Sequence, residues 1–479
     1  MTEDKKAKSK QTATTSNSAH PREATTSSGP SSSRGSISPY GSTRSQTFLH
    51  SRIEHLHGPE EVPYAEDELA VVCLVRDGRP YVRAYVEHYL SMGVKHIFFL
   101  DNGSTDGTVS VARSYENVTI LQTELPFKKH EYSLKQYLIA RFGRKGRWCL
   151  YADIDELFDY PYSDVVGLGS LLGYLNGNSY TAVAAQMLEM FPEEPLSGSR
   201  AGNSDEPLKE RHRFYDISNI KRKSFKKLRR RFPTNTFESD EIEAFRGGIR
   251  SIIFGVEDDL TKFPLVFSDD SIKPFEVSSH WVDNARVADF TSVLFHYKFL
   301  DGHFHQQAAQ AVREGHYQNN SALYKKYLQV LDGNPTLRVK QENARELGSV
   351  NDLVDNGFLV VSEEYMMLAY DEEERKKGAG RAPRRGEPGG GPGDEAAFRR
   401  ARARAEVERL RTRRLERRLE EVREQSRREV QKLRSTLARV RKRNRNLARQ
   451  LQSMRASRSW RLINKLGSVR DRVLPSRKG

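Results

Sequence analysis

Cysteine is nearly absent from this chain of 479 residues, which holds 2 of them. Cys73 and Cys149 both sit in apolar, strand-like runs. So sparse a supply excludes a disulfide scaffold and a cysteine-based zinc site, and it fits a reducing compartment. Long apolar stretches are missing as well. The longest, LAVVCLV at 69–75, falls far short of the roughly 18–20 residues that a membrane span needs. The opening MTEDKKAKSK contains no apolar h-region, so no signal peptide is expected. The glycine-rich phosphate loops of Rossmann and Walker proteins are lacking too, which argues against a dehydrogenase or a P-loop ATPase. These absences together predict a soluble cytoplasmic protein.

Charge is plentiful but unevenly spread. The chain carries a net +15, with 30% charged and 37% hydrophobic residues, too polar for a sequence that is globular throughout. Residues 394–479 contain 29 Lys plus Arg against 10 Asp plus Glu, so the rest of the chain is net acidic. A reading in which the protein binds nucleic acid or an anionic membrane therefore belongs to the tail alone. Residues 1–60 are Ser- and Thr-rich, with few large apolar groups to offset the entropy of ordering, and are expected to be disordered. A Gly/Pro-rich linker is expected at 375–395. Between them, residues 61–374 form one region long enough for a catalytic domain.

That region alternates short apolar runs with helical periodicity. Strands are expected at 69–75, 94–100, 117–123, 147–157 and 180–191, with helices at 79–93 and 131–143 between them. Such alternation implies an α/β fold with a mostly parallel sheet, whose ligands bind at the carboxyl ends of the strands. That rule selects RDGR (76–79), DNGSTDGT (101–108) and DIDE (153–156). Asp153 and Asp155, two apart after an apolar run, repel one another unless a cation lies between them. Hard carboxylate oxygens suit Mg²⁺ or Mn²⁺ carrying a substrate phosphate. The alternative is a solvated acidic loop capping a strand. Asp101 is either a turn residue or an acceptor for the donor edge of a pyrimidine.

The ordered succession of Arg76-Asp77, YVRAYVEHYLSMGVKHIFFLDNGSTDGT and RWCLYADIDELFDYP resembles the family 2 type glycosyltransferases of GT-A fold, close to the related family 92 enzymes. The resemblance spans residues 68–370. It implies that Asp101 contacts the nucleotide base, that Arg76 and Asp77 bind the nucleoside, and that Asp153 and Asp155 hold a divalent metal and the sugar-nucleotide diphosphate. A C-terminal His is often a further metal ligand in that fold; His296 is favoured, with His280 as the alternative. An inverting transferase also needs a carboxylate base. Glu257, Asp258, Asp259, Asp269 and Asp270 lie in plausible regions, and Glu189 is chosen for its place near the end of the strand after the carboxylate pair. Arg250 is assigned to the leaving diphosphate.

Residues 396–456 lack Pro and Gly and read as a basic helix. Val430, Leu433, Leu437, Val440, Asn444, Leu447, Leu451 and Met454 recur at spacings of three and four, the a/d seam of a parallel coiled-coil homodimer. Upstream, Leu415, Leu419 and Val422 follow an offset frame. The last stretch, 457–479, is a basic amphipathic tail suited to an anionic bilayer, and its SRSWRL resembles the ends of many bacterial surface-polysaccharide glycosyltransferases. The expectation is a cytoplasmic glycosyltransferase, peripheral at the inner membrane face, that moves a sugar from a nucleotide sugar to a glycan or lipid-linked acceptor. The competing readings are a sugar nucleotidyltransferase, for which RDGRP lacks the triphosphate loop, and a non-enzymatic coiled-coil protein binding nucleic acid. The tail's lack of interleaved aromatics argues against the second.

Overall fold

Strands that are apolar on both faces need cover on both faces, and this chain supplies it with helices and a second layer of loops. The computed structural model describes residues 43–143, 146–196, 207–228, 234–269, 272–274, 280–300, 302–315, 318–378 and 392–473. In chain order the first half runs α1 (Thr43–His50), β1 (Glu54–His57), β2 (Leu69–Val75), α2 (Arg79–Ser91), β3 (His96–Asp101), α3 (Thr108–Ala112), β4 (Val118–Gln122), α4 (Phe127–Phe142), β5 (Arg147–Tyr151), β6 (Glu156–Asp159), α5 (Leu168–Gly177) and β7 (Ala182–Glu189). The second half adds β8 (Ile220–Ser224), β9 (Glu243–Gly247), α6 (Ile249–Phe254), β10 (Thr261–Ser268), β11 (Arg286–His296), α7 (His303–Glu314), α8 (Gln318–Gly333), α9 (Glu363–Gly378), α10 (Pro392–Ala456) and α11 (Arg458–Val473).

Among the described residues one ten-stranded sheet dominates. Strands β4, β3, β2 and β5 lie side by side and parallel, as the βαβ alternation predicts. Every residue of β2 and β3 is buried, and β2 accordingly reads as an unbroken apolar run, whereas β3 is apolar between His96 and Asp101. The other half is mixed. β10 enters antiparallel between β5 and β7, and β7 pairs in parallel with β11. β6 runs antiparallel to β11 on its far end.

Several expectations need revision. The strand expected over 147–157 ends at Tyr151, so the DIDE segment is a turn between β5 and β6, closed by the Glu156 N–H donating to the Asp153 carbonyl at 2.9 Å. Part of the stretch expected to be disordered is ordered: α1 buries Leu49, and β1 pairs with β4. Residues 1–42 lie outside the described residues, as do 379–391 of the expected linker. The linker's two ends are helical, since α9 runs to Gly378 and α10 starts at Pro392.

The first turns of α10 pack on the domain. Ala403, Val407 and Leu410 are buried in the main core, while Arg411 and Arg414 pair with Glu241, and Arg418 with Glu243. Gly357 permits the close approach. Its φ is +69°, and a Cβ there would meet the Arg414 Cγ at 2.9 Å.

Candidate functional site

Sheet register gathers the site. β11 pairs His296 with Glu156 on β6 and with Glu189 on β7, so three strand ends bring the Glu189 carboxylate and the turn that carries Asp155 to one imidazole. Beside them, at the carboxyl ends of β2 and β5, a cavity of about 400 Å³ opens. Arg76, Asp77, the turn Asp153–Glu156, Arg250, Lys262, His280 and His296 all reach its wall.

Two linked clusters form that wall. In the first, His296 Nε2 lies 3.1 Å from Asp155 Oδ2 and His296 Nδ1 lies 2.9 Å from Glu189 Oε1. Glu189 Oε1 also lies 2.7 Å from Arg250 Nε, and Arg250 Nη1 donates to Asp258 at 2.8 Å. Burial alone would strip the proton from His296, but Glu189 and Asp155 overcome it and lift the imidazole to about 9. Burial works against ionised Asp155 too, yet His296 holds it down at about 2. Burial likewise opposes a charged Glu189, and Arg250 with His296 keeps its carboxyl below the usual range.

The second cluster joins Asp153 to two lysines. Lys262 Nζ donates to Asp153 Oδ2 at 3.0 Å and to Glu156 Oε1 at 2.5 Å. Lys135 Nζ sits 3.4 Å from Asp153 Oδ1 and 3.0 Å from Glu131, and the Tyr151 hydroxyl donates to Asp153 Oδ1 at 2.7 Å. Against the pull of burial, Lys135 and Lys262 hold Asp153 well below the ordinary carboxylate range. Burial raises Glu156 despite its contact with Lys262.

The remaining residues singled out by sequence scatter around this centre. Asp77, at a left-handed φ of 49°, accepts from the Thr105 N–H at 2.8 Å, tying the loop after β2 to the loop after β3. Arg76 lies 3.2 Å from Glu314 of α7. Asp101 is fully buried and does not line the cavity. Its carboxylate accepts from the Gly103 and Ser104 N–H groups and from Gln122, the turn arrangement that was one of its two sequence readings. Glu189 stands behind His296, outside the lining, whereas Asp258 and Asp259 reach the wall. The His280 Nδ1 lies 2.9 Å from the Thr261 carbonyl, and burial depresses this ring to about 3.

Among the described residues no group of three or more His, Cys, Asp or Glu forms a ready metal cage. Asp155 Oδ2 and His296 Nε2 nevertheless fit two neighbouring positions of a six-coordinate Mg²⁺ or Mn²⁺, because bonds of roughly 2.1 Å at right angles put ligand atoms roughly 3 Å apart. Asp153 does not complete that set, since its oxygens already meet Tyr151, Lys135 and Lys262.

Sequence reasoning missed the two lysines. Their signal was present: Lys135 lies on the apolar face of α4 with Leu134 and Leu138, and Lys262 opens the otherwise apolar run KFPLVF. A charge where the periodicity calls for an apolar residue marks a buried partner.

No protein-family model and no curated protein matches this chain. Among solved structures it is similar to S. aureus TarS, at 17% identity and a TM-score of 0.20, over 30% of this chain and 29% of that one. TarS 1–349 aligns at 16% identity and a TM-score of 0.20, over 31% and 50% respectively. The chain thus matches half or less of the length of these proteins.

Proposed function

We propose that the protein is a glycosyltransferase of GT-A type that moves a sugar from a nucleotide-diphosphate sugar to a hydroxyl of a glycan or lipid-linked acceptor. The carrying observation is the cavity at the carboxyl ends of β2 and β5, in which the DIDE turn meets His296, Lys262 and Lys135. In open α/β sheets this edge is where ligands bind.

The roles follow from charge and reach. Arg76 and Asp77 border the nucleoside end of the cavity. Lys262, Lys135 and Arg250 supply fixed positive charge for a diphosphate leaving group, a form of electrostatic stabilisation that requires no covalent step. Asp155 and His296 would hold a divalent ion, which would neutralise charge on the diphosphate. Glu189 acts by orienting His296 and Arg250. The proton of the acceptor hydroxyl goes to a carboxylate on the wall, and Asp258 and Asp259 have that access.

The test is a thermal-shift panel of nucleoside diphosphates with and without Mn²⁺. Stabilisation by one nucleotide, strengthened by the ion, supports the reading and names the donor base. A flat response across the panel removes it. A sugar nucleotidyltransferase would be stabilised by a nucleoside triphosphate in preference to the diphosphate.

A further inference from the structure

From Leu419 onward every side chain described in α10 and α11 is exposed, so nothing in the domain covers the apolar residues of this stretch. Leu433 is 69% exposed and Leu437 50%, with Val430, Val440, Leu447, Leu451 and Met454 in the same condition. These seven, with Asn444, occupy successive a and d positions of one uninterrupted helix. We infer that this face is the interface of a parallel, in-register dimer formed with a second copy of the chain.

The flanking charges select that occupant. With Val430, Leu437, Asn444 and Leu451 at a, the g positions are Glu429, Thr436, Arg443 and Gln450, and the e positions are Arg434, Arg441, Ala448 and Arg455. In a parallel dimer each g side chain faces the e side chain of the partner's next heptad. Glu429 then meets the partner's Arg434, Thr436 meets the partner's Arg441, Arg443 meets the partner's Ala448 and Gln450 meets the partner's Arg455. One pair attracts and no pair sets like charges together. The other cations, Lys432, Arg439, Lys442, Arg445 and Arg449, fall at b, c and f, pointing away from the seam. This arrangement keeps like charges out of direct contact across the seam of so basic a helix. An antiparallel pairing would set e against e, where Arg434, Arg441 and Arg455 stand. Asn444 at a favours two strands in fixed register over larger assemblies.

The experiment measures the mass of the full chain by light scattering after size exclusion at physiological salt. Twice the chain mass of 54.8 kDa is expected. Leu437→Asp combined with Leu447→Asp should return a single-chain mass with the melting of the globular domain unchanged, since both positions are exposed in the isolated chain. Met454→Cys in the full chain should give a covalent dimer on mild oxidation, because only parallel helices bring that position against itself. Cys73 and Cys149 are buried and do not compete. A monomeric or trimeric full chain, a dimer that survives the double substitution, or no crosslink at Met454→Cys would each overturn the inference.

Discussion

His296 concentrates the consequences at the level of single residues. Its folded value of about 9 stands above the 6.5 it would have unfolded, so its pairing with Glu189 and Asp155 stabilises fully below about pH 6.5 and fades as pH rises through about 9. Metal-free protein should therefore lose stability to urea between those pH values, and His296→Gln should flatten that part of the profile. A bound divalent ion would displace the proton and shift the same loss. Asp155→Asn removes the proposed ion ligand and the partner of His296 together. We predict a fall in transfer of roughly 100-fold or more, the scale of several kcal/mol of lost charge stabilisation, with the fold intact by circular dichroism; normal turnover would sink the assignment. Lys262 tests the second cluster. Lys262→Met leaves the buried Glu156 without its cation and Asp153 with Lys135 alone, and breaking such a buried pair costs roughly 3–5 kcal/mol, readable as a lowered urea midpoint. Glu189→Gln against Asp258→Asn and Asp259→Asn separates orientation from proton removal: only loss of the base should abolish kcat while leaving nucleotide binding unchanged.

At the level of elements, the helix that leaves the domain divides into a docked part and a free part. Ala403, Val407 and Leu410 are buried and Arg411, Arg414 and Arg418 are paired, whereas every described side chain from Leu419 onward is exposed. A chain ending at residue 378 should melt several degrees lower than the full chain, as expected when burial of about 3 kcal/mol is lost from a domain of this size. A chain ending at residue 425 should melt with the full-length protein. Equal melting of the two truncations would mean the docking contributes nothing. The elements also show what could be read beforehand. LAVVCLV is buried on both faces, so its pattern marked a buried strand, while the alternation of such runs with helical periodicity marked the sheet as mostly parallel. The antiparallel entry of β10 between β5 and β7 was not legible, because pairing partners distant in sequence leave no local pattern. The same non-local register brought Glu189 behind His296 instead of onto the cavity wall. Asp155 and His296, by contrast, were both named from sequence and lie together.

For the molecule as a whole, the +15 net charge separates into an acidic domain and a basic stalk. The free part of α10, from residue 419 to 456, spans roughly 55 Å at 1.5 Å per residue. A parallel pairing would put two domains at one end of that stalk and two α11 helices at the other. Those helices expose Trp460, Leu462, Ile463 and Leu466 among Arg458, Arg461 and Lys465. On an anionic bilayer such apolar groups would insert at headgroup depth, and the surrounding cations would add about 1 kcal/mol each, the design of an interfacial anchor. Pairing would double the contacts and raise the avidity beyond either helix alone. We therefore predict that the full chain floats with vesicles containing anionic lipid, does not float with neutral ones, and is released progressively as salt is raised. Removing residues 457–479 should abolish flotation without altering the dimer mass, and Leu437→Asp with Leu447→Asp should weaken it while leaving the tail in place. Binding to duplex DNA with no flotation on anionic vesicles would assign the basic stalk to nucleic acid instead. If neutral vesicles float as well as anionic ones, the charge has no part in anchoring and the apolar face of α11 acts alone.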